Sequence, residues 1–356
     1  MTRLPDADIA EGPVCPVPIG RRETIVLGHG GGGRLTRELV DEVFAKAFAN
    51  PALEILHDGA VLDVAAGRLA ITTDSFVVAP MFFPGGDIGK LAVHGTVNDL
   101  AMCGAEPLAL SAGFILEEGL DLGVLGRVVA SMSEAARDVP VSIVTGDTKV
   151  VERGKGDGVF INTTGIGRVR PGVVIDPRRA APGDVVLVSG PIGAHGVAVM
   201  SLRHGLGLEI DVVSDTASVY PAVAALLDAC GADVHVLRDP TRGGVATTLN
   251  EIAGSAGVGI RLEERRLPIP GAVHAACELL GLDPLYVANE GCFLAIVAAD
   301  RADEALEVLR GVAVSRQATR IGRVTAEHPG RVVLDNPLGG ARILDVLSGE
   351  QLPRIC

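Results

Sequence analysis

The sequence predicts an α/β (α+β) protein built from two related α/β domains. The chain has 356 residues, more than one compact domain usually holds, and 48% of them are hydrophobic. Short apolar runs typical of strands alternate with longer stretches that have apolar residues at helical spacing. Ile-Gly-Arg-Val occurs at residues 166–169 and again at 321–324, each time followed by a Pro-Gly turn. This repeat indicates two related units with a boundary near residues 170–176.

The predicted elements follow in chain order. In the first half, a helix over 35–48 follows a glycine loop. Strands are predicted over 60–64, 68–72, 107–116, 141–145 and 159–168, and helices over 89–102 and 122–137. In the second half, strands are predicted over 184–189 and 293–298, and helices over 195–203, 219–229 and 241–256. The predicted segments are a disordered leader (1–22), a glycine-rich loop and helix (23–54), an N-terminal domain (55–170), a C-terminal domain (171–336) and a flexible tail (337–356).

The composition excludes several classes of protein. A net charge of −13 argues against a nucleic-acid partner. No apolar run reaches the length of a membrane span, and the first 20 residues lack the apolar core of a signal peptide, which predicts a cytoplasmic protein. The cysteines and histidines show no paired-ligand spacing, so a zinc site is not predicted.

A glycine-rich loop is the first candidate binding element. Gly28 begins a run that continues through Gly30, Gly31, Gly32 and Gly33 and leads into a predicted helix. Glycine lets the backbone approach a ligand closely, and a helix N-terminus favours anions, so this loop is suited to phosphate. The spacing at 28, 30 and 33 also satisfies a dinucleotide fingerprint, which a glycine-rich chain meets easily. A flexible hinge is the structural alternative.

Aspartates at the ends of apolar runs are the second candidate element. They are Asp58, Asp74, Asp99 (beside Asn98), Asp147 and Asp239. A single such residue is usually a turn or helix cap, but several carboxylates at neighbouring strand ends suit Mg²⁺ bound to a polyphosphate. Residues 85–90 do not have the spacing of a Walker A loop, so ATP would bind in another way.

Three further residues are candidates for chemistry. Lys149 follows Asp147 and Thr148 directly, and Glu290 precedes a glycine after an apolar run. A lysine there can contact phosphate, and a partly buried glutamate can act as a base; a surface ion pair is the alternative for each. Cys356 is the last residue, three positions after Pro353, which favours an extended end. We therefore predict a thiol on a mobile arm, with a frayed terminus as the alternative.

Seven motifs together resemble the HypE family of hydrogenase maturation proteins. The resemblance covers residue 23 to the end, and the motifs are Thr-Thr-Asp-Ser-Phe at 72–76, Phe-Pro-Gly-Gly-Asp-Ile-Gly-Lys-Leu at 83–91, Asn-Asp-Leu-Ala-Met at 98–102, Thr-Gly-Asp-Thr-Lys-Val at 145–150, Asp-Pro-Thr-Arg-Gly-Gly at 239–244, Asn-Glu-Gly at 289–291 and the terminal Pro-Arg-Ile-Cys. That family belongs to the superfamily of aminoimidazole ribonucleotide synthetase and selenophosphate synthetase.

The resemblance implies a fold and a set of ligands. The first domains of two copies would pair into a dimeric, barrel-like sheet, with ATP over domain 55–170. Residues 30–33, Asp74, Asn98, Asp99, Asp147 and Thr148 would bind the nucleotide. Asp58, Asp74, Asp99 and Asp239 would hold Mg²⁺. His57 stands where relatives often carry a second acid before Asp58.

The resemblance also implies a reaction and partners. A HypF-type carbamoyltransferase would carbamoylate Cys356, and the chain would use ATP to dehydrate that group to a thiocyanate. Lys149 and Glu290 would remove the protons. The cyano group would then pass to iron held by a HypC–HypD complex, as a ligand of the [NiFe] hydrogenase centre. On the residues alone, three alternatives stay open: an NAD-binding oxidoreductase, a scaffold whose tail only docks partners, and a small-molecule synthetase or kinase of the same superfamily.

Overall fold

Two β-sheets covered by helices form the framework of the chain. The computed structural model describes residues 23–26, 38–50, 67–139, 141–203, 212–346 and 354–356. The predicted α/β class is confirmed, and strands up to residue 169 form one sheet whereas those from residue 185 form the other.

The first sheet has four long strands in the order β1-β6-β4-β5. The strands are β1 (Leu69–Phe76), β4 (Ala105–Glu117), β5 (Ser142–Val151) and β6 (Val159–Val169), and a separate small ribbon contains β2 (Phe82–Phe83) and β3 (Gly86–Asp87). Strands β4 and β5 run parallel, and the other pairs of this sheet are antiparallel. Its helices are α1 (Ala45–Ala47, after a π-helical turn at Val40–Phe44), α2 (Ile88–Met102) and α3 (Leu122–Arg137).

Helices α2 and α3 cover only one face of this sheet. Leu110 and Phe114 of β4 point into the core beneath these helices, together with Leu91 of α2 and Leu125 of α3. The alternate side chains point to the opposite face, where Ile71 is 69% exposed. The first sheet therefore has one buried and one open face among the described residues.

Aspartate caps fix where both helices begin. The Asp87 carboxylate accepts hydrogen bonds from the main-chain nitrogens of Gly89 (2.8 Å) and Lys90 (3.0 Å). Asp121 accepts one from the nitrogen of Val124 at 3.0 Å. Such bonds satisfy N–H groups that have no partner inside a helix. The side chain of Asp87 therefore caps the N-terminus of α2.

The second sheet has seven strands in the order β13-β12-β9-β11-β7-β10-β8. Strands β9 and β12 are parallel, and the other neighbours are antiparallel. The strands are β7 (Val185–Val188), β8 (Val234–Arg238), β9 (Gly259–Glu263), β10 (Leu294–Val297), β11 (Thr319–Thr325), β12 (Val332–Asp335) and β13 (Ala341–Leu344). The helices are α4 (Ala194–Arg203), α5 (Tyr220–Cys230), α6 (Gly244–Ala256), α7 (Gly271–Leu280) and α8 (Ala302–Gly311).

The central strands of the second sheet are buried on both faces. Val186 and Val188 of β7 face one apolar core, and Val185 and Leu187 face the other. An unbroken apolar run is the sequence signature of such a strand, which is why this one was predictable. No helix within the described ranges is long and apolar enough to cross a membrane.

Three predicted segments differ from the structure. The predicted strand 68–72 extends to Phe76, so Asp74 lies within β1 rather than after its end. The predicted strand 141–145 extends to Val151, because every part of β5 pairs with β4. Asp147 and Lys149 therefore lie within β5 rather than in a loop after it. The predicted tail from residue 337 includes β13, which pairs with β12 and buries Leu344 completely. The leader 1–22 and the predicted strand 60–64 lie outside the described residues.

Candidate active site

An acidic cavity of about 420 Å³ lies where the two sheets meet. Five carboxyl groups and two guanidinium groups line it, together with the C-terminal cysteine. The charged residues are Asp74, Asp99, Asp239, Glu251, Glu290, Arg238 and Arg242. This excess of carboxylates favours a cationic or cation-bound ligand.

Strand alternation brings Asp74 and Asp99 together. Asp74 lies on the helix-covered side of β1, and Asp99 lies near the end of α2. The hydroxyl of Thr72, two residues before Asp74 on the same face, donates to Asp99 Oδ2 at 2.7 Å. Burial, and then the nearby charge of Asp99, raise the pKa of Asp74 to about 6.

Asp239 follows β8 and adds a third carboxyl group to this cluster. Burial raises its pKa to about 7, and the charge of Asp99 adds to the effect. Beside it, Arg238 donates to Glu251 Oε2 at 2.7 Å, so this guanidinium is already paired within the cavity wall. The guanidinium of Arg242 partly offsets the rise in the pKa of Asp74, and because it lines the same cavity it adds a positive charge near the carboxyl cluster.

The loop that carries Glu290 is held by its neighbours in sequence. Asn289 is fully buried; its Oδ1 accepts from the nitrogen of Gly193 at 2.6 Å, and its Nδ2 donates to the carbonyl of Pro240 at 2.9 Å. These bonds join the Glu290 loop to the Asp239 loop. At position 291 a Cβ atom would lie 1.6 Å from the carbonyl oxygen of Asp215, so only glycine fits.

Glu290 and Cys356 face one another in a buried, negative environment. Burial raises the pKa of Glu290 well above its usual value, and the charge of Asp239 is the next cause. Burial also raises the pKa of the Cys356 thiol to about 12, and Glu290 adds to this whereas Arg242 opposes it. A thiol without negative charge therefore sits next to a carboxyl group that holds a proton readily, an arrangement suited to proton transfer.

The last three residues, 354–356, are held against the body of the protein. The main-chain nitrogen of Val77 donates to the carbonyl of Cys356 at 3.0 Å, and Ile355 is only 4% exposed. The sequence predicted a mobile arm, and here its end is docked because an apolar side chain and main-chain hydrogen bonds hold it.

The structure brings together five of the predicted site residues and separates others. Asp74, Asp99, Asp239, Glu290 and Cys356 line one cavity. Asn98 does not line it; its Nδ2 donates to the carbonyls of Ala217 (3.0 Å) and Glu290 (3.3 Å), and its Oδ1 accepts from the nitrogen of Val219. Asn98 is buried, and its side-chain amide joins α2 to the second domain; its predicted role in binding the cofactor stays a prediction.

Asp147, Thr148 and Lys149 lie away from the cavity of their own chain. They are on β5, at the opposite edge of the sheet from β1, and Lys149 is in register with Ile115 on the open face. Asp147 and Lys149 are exposed and form an ion pair of 3.1 Å, and the hydrogen bond from Lys149 lowers the pKa of Asp147. Within one chain, the residues of this segment that were predicted to bind the nucleotide or to transfer protons do not line the cavity.

The predicted phosphate loop and the first metal position lie outside the described residues. These are Gly30, Gly31, Gly32, Gly33 and Asp58. Among the described residues, no group of three or more His, Cys, Asp or Glu side chains is arranged to hold a metal ion. The charge of Asp99 nevertheless raises the pKa of Asp74 and that of Asp239, so the three side chains lie near one another.

Sequence reasoning missed three residues that build the site. Arg242 lies in the motif Asp-Pro-Thr-Arg-Gly-Gly and lines the cavity; its position three residues after Asp239 is the signal that indicates a cation there. Asp215 follows two valines and a serine with no recognisable signal, and its buried carboxylate accepts from the nitrogen of Gly291 at 3.0 Å. His195 is fully buried and contacts the tail, which no local pattern predicts.

Comparison with known proteins places the chain among relatives of known activity. Residues 56–169 match the family described as AIR synthase related protein, N-terminal domain, and residues 181–335 match its C-terminal domain. The chain is 54% identical to carbamoyl dehydratase HypE of Azotobacter vinelandii over 94% of this chain and 98% of that protein.

Solved structures agree with these sequence relatives. A crystal structure of hydrogenase maturation protein HypE in complex with ATP matches with 52% identity and a TM-score of 0.90, covering 93% of this chain and 99% of that one. A crystal structure of a HypE–HypF complex matches with 47% identity and a TM-score of 0.77, covering 87% and 99%. The predicted family is confirmed, and the names of these relatives agree with the predicted activity.

Proposed function

This chain belongs to the AIR synthase related family and, within it, to the HypE proteins, and on that premise we propose that it is an ATP-dependent carbamoyl dehydratase. Its substrate is the S-carbamoyl group on its own Cys356. The product is a thiocyanate that supplies cyanide ligands for the iron of a [NiFe] hydrogenase.

One observation carries the proposal: the thiol of the last residue lines the same buried cavity as Glu290 and the carboxyl cluster. A terminal cysteine that were merely frayed would be exposed to solvent. Instead, Cys356 is partly buried and the Ile355 side chain before it is almost fully buried. The chain thus carries its own substrate into the cavity.

The reaction requires removal of an oxygen atom and two protons from the carbamoyl group. The carbon–oxygen bond breaks and the carbon–nitrogen bond becomes triple, a net loss of water. An amide oxygen is a poor leaving group; ATP, when bound, would supply a phosphoryl group to it, so that the oxygen leaves as inorganic phosphate and ADP remains. Glu290, once it has lost its own proton, accepts a proton from the nitrogen of the group on Cys356, because both residues line the same cavity. The buried setting limits hydrolysis by water.

The chemistry of the cavity acids, rather than a preformed arrangement of them, suits a nucleotide that binds together with Mg²⁺. Asp74, Asp99 and Asp239 would hold the cation, and Asp58 would complete the set. Two of these carboxyl groups have raised pKa values because they are buried near other carboxylates, a repulsion that a divalent cation offsets. Residues 30–33 would cover the phosphates. When bound, Mg²⁺ neutralises charge on the phosphates.

A second copy of the chain explains the position of Lys149. The open face of the first sheet presents Leu69, Ile71 and Ile115, which are 48%, 69% and 45% exposed. An apolar patch of this kind is typical of an interface. In the arrangement proposed here, the open faces of two copies meet and Lys149 of one copy contributes to the site of the other. We propose a homodimer of this arrangement, with Lys149 as a second proton carrier.

The proposed partners act on the tail outside the cavity. A HypF-type transferase would load Cys356, and a HypC–HypD complex would receive the cyano group. Both steps would require the tail to swing outward and break the hydrogen bonds that hold residues 354–356. We propose that the chain works in the cytoplasm, together with these partners.

Intact mass of the protein after incubation with carbamoyl phosphate, ATP and the partner transferase tests the proposal. We expect a gain of one carbamoyl group on the C-terminal peptide and then loss of one water mass. In the Cys356→Ala chain ATP binding persists, and neither mass change occurs. A cyanated species formed by that variant would overturn the proposal.

A further inference from the structure

The C-terminal tripeptide is held mainly through its backbone. The nitrogen of Ala79 donates to the carbonyl of Arg354 at 3.4 Å, in line with the bond from Val77 to Cys356. The Arg354 guanidinium also donates to the carbonyl of Val77 at 3.1 Å. The Ile355 side chain packs into the core that contains Val199 and Met200. None of these contacts involves the thiol.

A buried histidine also contacts this tripeptide. His195 is 0% exposed, and its Nε2 lies 2.9 Å from the carbonyl oxygen of Ile355. Its ring meets that of Phe83 edge-on, with centroids 5.4 Å apart. Since a carbonyl oxygen only accepts, Nε2 carries the proton. Burial lowers the pKa of His195 to about 4, so the ring is neutral near pH 7 and Nδ1 is an acceptor.

Two hydroxyl groups fix that tautomer. Ser214 Oγ lies 2.8 Å from Nδ1, so it donates to the ring. The hydroxyl of Thr216 is 2.7 Å from Ser214 Oγ, which also accepts the Thr216 main-chain N–H at 3.1 Å. The hydrogen bonds therefore all point the same way: Thr216 donates to Ser214, Ser214 donates to His195, and His195 donates to the carbonyl of Ile355. Bonds in such a chain polarise one another and strengthen the last one.

The same segment supports the proposed base. Asp215 lies between these two hydroxyl residues, and its carboxylate accepts from the nitrogens of Glu290 (3.2 Å) and Gly291 (3.0 Å). One short stretch, residues 214–216, therefore fixes both the ring that meets the tail and the loop that carries Glu290.

We propose that His195, oriented by Ser214 and Thr216, is a positioning residue that latches the Ile355 carbonyl and so sets Cys356 in the cavity. The role of this latch in dehydration rests on the proposed function, but its physical action does not. If the tail leaves, the buried Nε2–H loses its partner, and an unpaired buried donor is costly. Because the latch binds a main-chain carbonyl, it holds the tail alike with a free, carbamoylated or cyanated thiol.

Alkylation of Cys356 measures the latch directly. The rate with iodoacetamide is followed by mass of the C-terminal peptide in wild type, His195→Phe and His195→Gln. Phenylalanine keeps the ring packing and loses the donor, so we expect the rate to rise about fivefold, as for loss of one net hydrogen bond. Glutamine keeps an N–H donor, and we expect a rate within about twofold of wild type. The exposed Cys103 provides an internal reference in every sample.

Thermal unfolding with and without the tail separates a latch from a merely structural residue. His195→Phe is compared in the full chain and in a chain that lacks residues 354–356. We expect a larger loss of Tm in the full chain. Equal losses in both backgrounds, or no change in the alkylation of Cys356, would overturn the proposal.

Ser214→Ala provides a second test if His195→Phe does not fold. Its expected effect is a rise of about twofold in Cys356 alkylation, because the ring loses the group that fixes its tautomer. An unchanged rate in this variant would also contradict the latch. These readouts use neither ATP nor a carbamoyl donor, so failure of the dehydratase proposal leaves them interpretable.

Discussion

The carboxylate of Asp215 lies 3.0 Å from the main-chain nitrogen of Gly291 and 3.2 Å from that of Glu290. Main-chain donors thus hold a partly buried acid against the loop that presents the proposed base. Burial raises the pKa of Asp215 to about 6, and the bonds from these amides only partly offset it. Such an arrangement persists only where the loop must be fixed.

Asp215→Asn should destabilise the protein and slow dehydration. The amide group of asparagine would point a donor at N–H groups that are donors themselves, so the free energy of unfolding should fall by about 1–3 kcal/mol. Urea unfolding measures this loss. Asp300→Asn, at an exposed site, is the control and should leave stability unchanged. Equal stability of the two variants would show that the Asp215 bonds contribute little.

Glu290→Gln should block dehydration and leave carbamoylation intact. Removal of a general base typically slows a reaction by about 10²–10⁴-fold, whereas loading of the thiol does not use this carboxylate. The ratio of carbamoylated to cyanated C-terminal peptide over time reports the effect. Glu251→Gln is the matched control, because Glu251 lines the same cavity but is paired with Arg238. A wild-type rate in Glu290→Gln would exclude Glu290 as the base.

Mixing two inactive variants tests whether Lys149 acts across a dimer. In a mixture of Lys149→Ala and Glu290→Gln chains, half of the dimers are mixed, and each of these has one intact site if Lys149 comes from the partner copy. The expected activity is therefore about one quarter of wild type. If Lys149 acted within its own chain, both sites of every dimer would be defective and the mixture would stay inactive.

Ile71→Asp should dissociate the same dimer. A charge placed on the open sheet face would be buried at the proposed interface, at high cost. Light scattering after size exclusion gives the mass of the species. Leu338→Asp, at a position 97% exposed on the second domain, is the control and should leave the mass unchanged. An unchanged mass for Ile71→Asp would place the interface elsewhere.

His94→Leu should make the protein more resistant to acid. His94 is buried in α2, and neither ring nitrogen has a hydrogen-bond partner among the described residues. Burial lowers its pKa from 6.5 to about 4, so only the unfolded chain takes up the proton as pH falls below 6.5. Stability that is present above pH 6.5 is therefore lost as pH falls toward 4.

The His94→Leu variant does not lose stability through protonation of this histidine. At pH 5 its free energy of unfolding should exceed that of wild type by about 2 kcal/mol more than it does at pH 7.5. Urea unfolding at the two pH values provides the comparison. The same difference between variant and wild type at both values would show that the proton on His94 does not contribute.

Local patterns along the chain determined most of the elements and most of the cavity acids. Apolar runs and helical spacing depend on short stretches, so α3 was predicted with its observed bounds, Leu122–Arg137. Asp74, Asp239 and Glu290 each border a recognisable strand or glycine, which made them visible as candidates. The motifs around them, with the terminal cysteine, were sufficient to identify the family.

Only the tertiary structure decided which of these residues meet. Lys149 and Asp74 both follow apolar runs, yet they lie at opposite edges and on opposite faces of one sheet, because strand order and side-chain direction are set by long-range pairing. Asn98 and Asp99 are neighbours in sequence. The Asn98 amide nevertheless hydrogen-bonds to the second domain, whereas the Asp99 carboxylate lines the cavity. His195 contacts Ile355 across 160 residues. Contacts of that kind leave no local pattern, since they depend on how the two domains and the tail pack together.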